Sequence, residues 1–245
     1  MKKLTLAGFT ILLLALLAAC GSAPSGDETE LEVIHLQTTP ALAHWLPEAA
    51  ACAGSIPNLG LASDLVEPSA LTLGNADLIL RLGSPQADDP YTAVMGMESL
   101  ILVAGDQVPL DALSIESLQS IFSGDWTLWS DVPEVDSPAD TAFPLTLFSY
   151  SKDNELELLF SQTYLDGKPI IGNPQRYSSA DGLANLLAVS PYGLGYTLAS
   201  QVPAGFRTIE ITDLEQDPTF YVLAITAGEP EGGLKQLLLC LQDSE

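Results

Sequence analysis

The chain is 245 residues long, carries 32 acidic against 8 basic residues and has a formal charge of -24 at pH 7. That field opposes contact with nucleic acid, which is held by Lys and Arg neutralising phosphates, and with anionic lipid head groups, so the folded surface has neither as a partner. Two histidines and three cysteines, without a CxxC, make no metal-ligand spacing, and the sequence calls for no cofactor.

Met1-Lys2-Lys3 leads into an apolar stretch from Leu4 to Leu17, and small residues precede Cys20. A basic start, an apolar middle and a small-residue end make residues 1–19 a secretory signal peptide. The apolar run is shorter than the roughly 20 residues needed to span a bilayer. The ending Leu17-Ala18-Ala19-Cys20 resembles the lipobox of bacterial lipoproteins. It implies that Cys20 becomes the lipidated first residue of an extracytoplasmic protein, which meets the membrane through that anchor only. Residues 20–29 are small and polar and read as a flexible linker, with the folded part beginning near Glu30.

Leu31 to Gln37 has strand composition and runs into Thr38-Thr39-Pro40, after which Leu42, Trp45, Leu46 and Ala49 recur at helical spacing, with Cys52 on the same stripe. Further strands are predicted around Asn58–Leu61 and Ala76–Leu82, the latter followed by Gly83-Ser84, and Thr92 to Val103 is a long apolar segment. Ser114 is a good helix N-cap, Leu113 and Leu118 sit where a hydrophobic staple needs them, and Gly124 ends that helix. Residues 125–141 form a surface loop anchored by Trp126 and Trp129. Phe143 to Phe148 then delivers Ser149-Tyr150-Ser151 to a helix carrying Leu156, Leu159 and Phe160, with Ser151 as its cap. Tyr177-Ser178-Ser179 precedes a helix bearing Leu183, Leu186 and Leu187, and Pro191 to Thr197 turns into a strand. Strands at Ile209–Ile211 and Tyr221–Ile225 and a helix with Leu234, Leu237, Leu238 and Leu241 complete the chain. Alternating strands and helices of this length predict an α/β class with largely parallel sheets. With Cys20 lipidated, Cys52 and Cys240 are an even pair that invites a disulfide, two buried free thiols being the alternative.

Three segments carry a family resemblance. Leu113-Ser114 through Ile121-Phe122-Ser-Gly124 and Trp129-Ser130, the run Ser190-Pro191-Tyr-Gly193-Leu-Gly195-Tyr196, and Tyr221 to Thr226 with Glu229-Pro230-Glu231-Gly232 resemble, in this order, the phosphate-type solute-binding proteins of bacterial ABC transporters. The resemblance implies a type II periplasmic-binding-protein fold: two α/β lobes with mixed sheets joined by a two-strand hinge. One lobe takes residues 30–105 and 197–245, the other 106–196. The first and last helices then share a lobe, which brings Cys52 and Cys240 within reach of each other.

In such a fold ligands bind in the cleft at the carboxyl ends of strands, where helix N-termini present unpaired N–H groups. Thr38, Thr39, Ser84, Ser149, Ser151, Ser178 and Ser179 occupy such positions, and their hydroxyls suit an oxyanion such as phosphate. Each serine before a helix also has an ordinary use as a cap. Arg176 stands just before Tyr177 and the serines, and Arg81 with Asp77 reads as a rim pair. One departure from the family is plain. Where phosphate binders carry Ser-Gly-Thr, this chain has Ser149-Tyr150-Ser151-Lys152-Asp153-Asn154-Glu155, in which no glycine permits close backbone approach and Asp153 and Glu155 repel a dianion.

The partners implied are a small-molecule solute and an ABC-type permease. A degenerate binding fold reused as a sensory, adhesion or assembly lipoprotein is the alternative. An enzyme is not expected: His35 and His44 are the available imidazoles, and no GxSxG nucleophile elbow occurs.

Overall fold

The computed structural model describes residues 31–136, 142–214 and 218–243; the signal peptide, Cys20 and the linker lie outside the described residues. A strand β1 (Glu32–Thr38) leads through a 3-10 turn, Pro40–Trp45, into α1 (Leu46–Ser55), and β2 (Leu59–Leu65) and β3 (Leu78–Gly83) follow. The helical pattern beginning at Leu42 is thus split. Pro47 has no N–H to bond back to the preceding turn, so the chain stays in a tight 3-10 coil until the α-helix starts with Pro47 in its first turn.

Next come β4 (Tyr91–Ala104), β5 (Ala112–Ser114), α2 (Ile115–Ser123), β6 (Thr146–Tyr150), α3 (Glu155–Tyr164), β7 (Gln175–Tyr177), α4 (Ala180–Val189), β8 (Gly193–Leu198), β9 (Arg207–Thr212), β10 (Thr219–Thr226) and α5 (Gly232–Asp243). β5 and β7, three residues each, are too short to leave a periodic signal in the sequence.

The strands form one curled sheet in the order β2-β1-β3-β10-β4-β8-β6-β7, with β9 beside β4 and β5 beside β9. Pairing is mixed rather than largely parallel. β1 runs parallel to β2 and β3, and β6 parallel to β7 and β8, but β10 is antiparallel to β3 and β4, and β4 is antiparallel to β8 and β9. β4 belongs to both halves of the sheet: Tyr91 to Ser99 pairs with β10, and Leu100 to Ala104 pairs with β8.

The predicted signals for α2 hold in detail. Ser114 Oγ accepts from Ser117 N at 3.2 Å, Leu113 and Leu118 are fully buried, and Gly124 adopts the left-handed conformation (φ 80°) at the helix end. Glu134 reaches back from the following loop to accept from Ser114 N and from both serine hydroxyls, and buried Trp129 donates Nε1–H to Tyr192 O at 3.0 Å. Phe122, Phe148, Phe160 and Tyr196 fill the space beneath α2 to α4. The glycine spacing of β8 has a packing cause. A Cβ on Gly195 would lie 2.6 Å from Leu183 Cδ1, and one on Gly193 would collide with the Phe148 ring.

α1 and α5 cover the first half of the sheet and are joined by the Cys52–Cys240 disulfide, with a Cα–Cα distance of 5.8 Å. α5 is also tied to the start of β1, Gly233 N donating to Glu32 Oε2 at 3.1 Å. No described helix is long and apolar enough to cross a membrane.

The bridge spans 188 residues, for which loop-closure entropy gives a stabilisation of about 5 kcal/mol before any native strain is subtracted. Cys52→Ser with Cys240→Ser is therefore expected to lose about 2–5 kcal/mol of unfolding free energy. Denaturant titration of both proteins checks this, and added reductant should lower the parent to the level of the double variant.

Candidate functional site

The carboxyl ends of β1, β3, β6 and β7 converge with the first turns of α3 and α4. Two cavities open there. The larger, about 920 Å³, has Arg81, Gly83 and Ser84 from the first half of the sheet and Lys152, Asp153 and Glu155 from the second among its walls. The smaller, about 510 Å³, is walled by Pro40, His44 and Ser200 on one side and Tyr150, Ser178 and Ser179 on the other.

Between the two halves runs a direct contact. Thr39, fully buried at the end of β1, donates its hydroxyl to Glu155 Oε2 at 2.7 Å. Glu155 is the first residue of α3, so its carboxylate lies where a bound oxyanion was expected. Burial pushes the Glu155 carboxyl above its ordinary range, and the Thr39 hydroxyl, the Arg81 charge and the Leu82 backbone amide only partly offset that. Arg81 is itself engaged by Asp89 Oδ2 at 2.7 Å, which replaces the Arg81–Asp77 pair expected from the sequence; Asp77 accepts instead from His35 N.

The other predicted residues fall into separate places. Thr38, also fully buried, donates to Leu80 O at 3.0 Å across the sheet. Ser149 is buried behind the cleft, within 2.9 Å of the Tyr196 hydroxyl and 3.1 Å of Arg176 Nη1. Arg176 also donates to Tyr150 O at 2.6 Å and faces Glu157 at 3.4 Å, so its charge is held inside its own half. Ser151 is exposed and does not cap α3. Its N–H bonds Tyr177 O, which continues the β6–β7 ladder, and Asn154 caps the helix by accepting from Leu156 N at 2.9 Å. Asn and Ser are equally good caps, so only the strand pairing decides between them. Ser179 does cap α4, accepting from Gly182 N at 3.2 Å, and Ser84, Ser178 and Ser179 are exposed at the cavity walls.

Beside the smaller cavity stands a cluster that sequence reasoning missed. Glu98, buried in β4, accepts from Ser200 Oγ at 2.6 Å and lies 3.2 Å from His44 Nε2, while Gln201 Nε2 reaches His44 Nδ1 at 2.6 Å. These partners place the imidazole hydrogen on Nε2. Burial alone would raise the Glu98 carboxyl, but the His44 and Ser200 hydrogen bonds outweigh it and hold the group below its ordinary range. A single acid within the apolar run Thr92–Val103 was the available signal. On the wall, burial pushes the Tyr150 phenol up to about 12. Among the described residues no group of His, Cys, Asp and Glu is arranged to hold a metal ion.

No protein-family model and no curated protein matches the chain. Solved structures do. A phosphate ABC transporter substrate-binding protein with bound phosphate from Clostridium perfringens is similar over 86% of this chain and 93% of its own, at 13% identity and a TM-score of 0.69. An ABC-type phosphate transport receptor from Vibrio cholerae is similar over 86% and 94%, at 14% identity and a TM-score of 0.67. The reduced OxyR regulatory domain from Pseudomonas aeruginosa is similar over 88% and 98%, at 15% identity and a TM-score of 0.57. Likeness at such identities is likeness of fold, and the fold is that of the type II periplasmic binding proteins.

The elevated Glu155 carboxyl has a thermodynamic sign. A carboxyl whose pKa is raised by folding contributes stability that is complete below the ordinary glutamate range and is lost as pH rises through the elevated value. Glu155→Gln keeps an acceptor for Thr39 without a charge. It is expected to match the parent in acid and to exceed it at pH 7, with the gap opening above the ordinary glutamate range and levelling off once pH passes the elevated value, in urea unfolding between about pH 4 and 8. A gap of constant size, or a variant weaker at pH 7, would mean that the carboxylate is better paired than its burial implies.

Proposed function

We propose that this protein is an extracytoplasmic, lipid-anchored solute-binding protein serving an ABC-type permease, with a small solute taken into the cleft between two lobes. The observation that carries the reading is the geometry of the cleft. Strand ends and helix starts from both halves of the sheet face each other across it, and the halves are joined through β4, which pairs with β10 at its start and with β8 at its end. Such a junction permits hinge closure around a ligand. The lobes are residues 30–105 with 197–245, and 106–196. The pairing of β9 with β5 argues for carrying residues 207–212 with the second lobe. Ser84, Ser178 and Ser179 are the hydroxyls assigned to the solute; Thr39 lies behind them with its hydroxyl given to Glu155, and Thr38 and Ser149 support the strands. Phosphate, bound in the Clostridium protein, is the oxyanion to test first. Cys20 supplies the anchor, which keeps the receptor near its permease.

A second reading has its own observation. The Thr39–Glu155 contact fills part of the cleft with the chain's own carboxylate, as suits a degenerate binding fold used in sensing, adhesion or assembly. The similar fold of a regulatory domain shows such reuse elsewhere.

Titration of the purified protein with phosphate, sulfate, molybdate and small organic solutes separates the two. The receptor reading expects saturable binding of one of them and a smaller radius of gyration by X-ray scattering. Silence across the panel with an unchanged shape favours the second reading. Cys20→Ser in the producing cell is expected to abolish labelling by palmitate and to move the protein from the membrane fraction to the soluble one; unchanged partitioning would remove the anchor from the proposal.

A further inference from the structure

Glu155 is placed as a ligand would be. Its side chain crosses from the first turn of α3 to the end of β1, and its Oε2 is met by the Thr39 hydroxyl at 2.7 Å. Arg81 and Leu82 of β3 line the same cavity as Glu155, with the Arg81 guanidinium held by Asp89. A buried hydroxyl with a guanidinium on the same cavity wall is a setting in which a small oxyanion is held. Here the lobe opposite supplies the oxyanion covalently.

We propose that Glu155 is an internal ligand: its carboxylate fills the oxyanion subsite of the cleft, excludes phosphate and free carboxylates from it, and so sets the specificity of the protein. This rests on reading the cleft as a ligand site. Two observations make exclusion the consequence. An incoming anion would have to displace a tethered carboxylate, which competes at an effective concentration set by its attachment to α3. Were Glu155 to stay nearby, it would repel the anion in a chain already at -24. The other charges on the cavity wall do not reverse this, since Lys152 is exposed and followed by Asp153, and Arg81 is paired with Asp89. The solute left for the wild-type cleft is neutral or cationic, meeting the exposed Ser84, Ser178 and Ser179.

Truncating Glu155 leaves a vacancy of carboxylate size, and sodium acetate and inorganic phosphate are the probes. Glu155→Ala and Glu155→Ser, in the full chain, are expected to gain at least about tenfold in affinity for acetate by calorimetry and to melt at progressively higher temperature as it is added. The parent and Glu155→Gln, which fills the same volume, should respond to neither anion. A gain for acetate alone would limit the subsite to carboxylates, and a gain for both would make it a general oxyanion site; either supports the proposal. It is overturned if the parent binds acetate or phosphate as tightly as the truncated variants. Folded truncated variants that gain neither anion would also overturn it, as would unfolded ones that acetate fails to restore. The outcome is separable from the receptor reading: a parent that binds a neutral solute beside unresponsive variants sinks the internal ligand alone, and responsive variants beside a parent that binds nothing sink the receptor alone.

Discussion

The fold hangs on a single strand. β4 runs for 14 residues, long enough to be an edge partner of β10 at its start and the centre of a different half-sheet, between β8 and β9, at its end. Its burial follows that change of role. Tyr91 to Met97 is largely half-exposed, whereas Leu102, Val103 and Ala104 are completely buried, and the continuous apolar run that the second role demands is what the sequence provides there. A register shift opposite Val222 and Leu223 leaves Met95 without a partner on β10, and such a bulge sharpens the local twist. The relative setting of the two halves, and hence the cleft, is therefore written largely into the path of one strand. The disulfide between α1 and α5 acts elsewhere: it fastens the outer layer of the first half and leaves the junction to β4.

Two carboxylates sit against this framework, and the direction of their shifts separates them. Glu98 projects from β4 itself and is buried, yet hydrogen bonds from His44 and Ser200 more than compensate for lost water, so this acid holds the crossover to the Pro40–Trp45 turn at a net gain. Glu155 has a hydroxyl, an amide and a partly neutralised guanidinium, and burial still prevails. The fold places the Glu155 carboxylate in the cleft in spite of its own preference. A residue kept where it costs stability points to function more than to architecture, because an apolar or amide side chain would serve the packing better.

The legibility of the chain divides along the same line. Periodicity and punctuation made the α/β class readable: the Ser114 cap, the Leu113–Leu118 staple and the Gly124 stop each depend on residues within one helix, and the structure contains all of them. The Gly193 and Gly195 spacing was readable as a family likeness, although its cause, contact with Phe148 and Leu183, lies in the packing. What failed depended on partners far away in sequence. Ser151 and Asn154 are equivalent caps in isolation, and the bond from Ser151 N to Tyr177 O removes one of them. Arg81 had Asp77 and Asp89 within reach, and only the turn after β3 selects the second. The acid at Glu155 was visible as a departure from Ser-Gly-Thr, but its meeting with Thr39, 116 residues away, was not.

That meeting also alters how a family likeness should be weighed. Sharing the fold brings with it the strand ends and helix starts that face the cleft, since these follow from β4 and the half-sheets. It does not bring the donors. Thr38 gives its hydroxyl to Leu80, Thr39 to Glu155, and Ser149 lies among Tyr196 and Arg176, so much of the hydroxyl set that looked available to an oxyanion is satisfied within the protein. The arginines nearest the site are paired in turn, Arg81 with Asp89 and Arg176 with Glu157. With these donors engaged and the surrounding field strongly negative, a ligand of this cleft would meet the exposed hydroxyls of Ser84, Ser178 and Ser179 rather than an unpaired positive charge, a chemistry that favours an uncharged solute over the anion the fold first suggests.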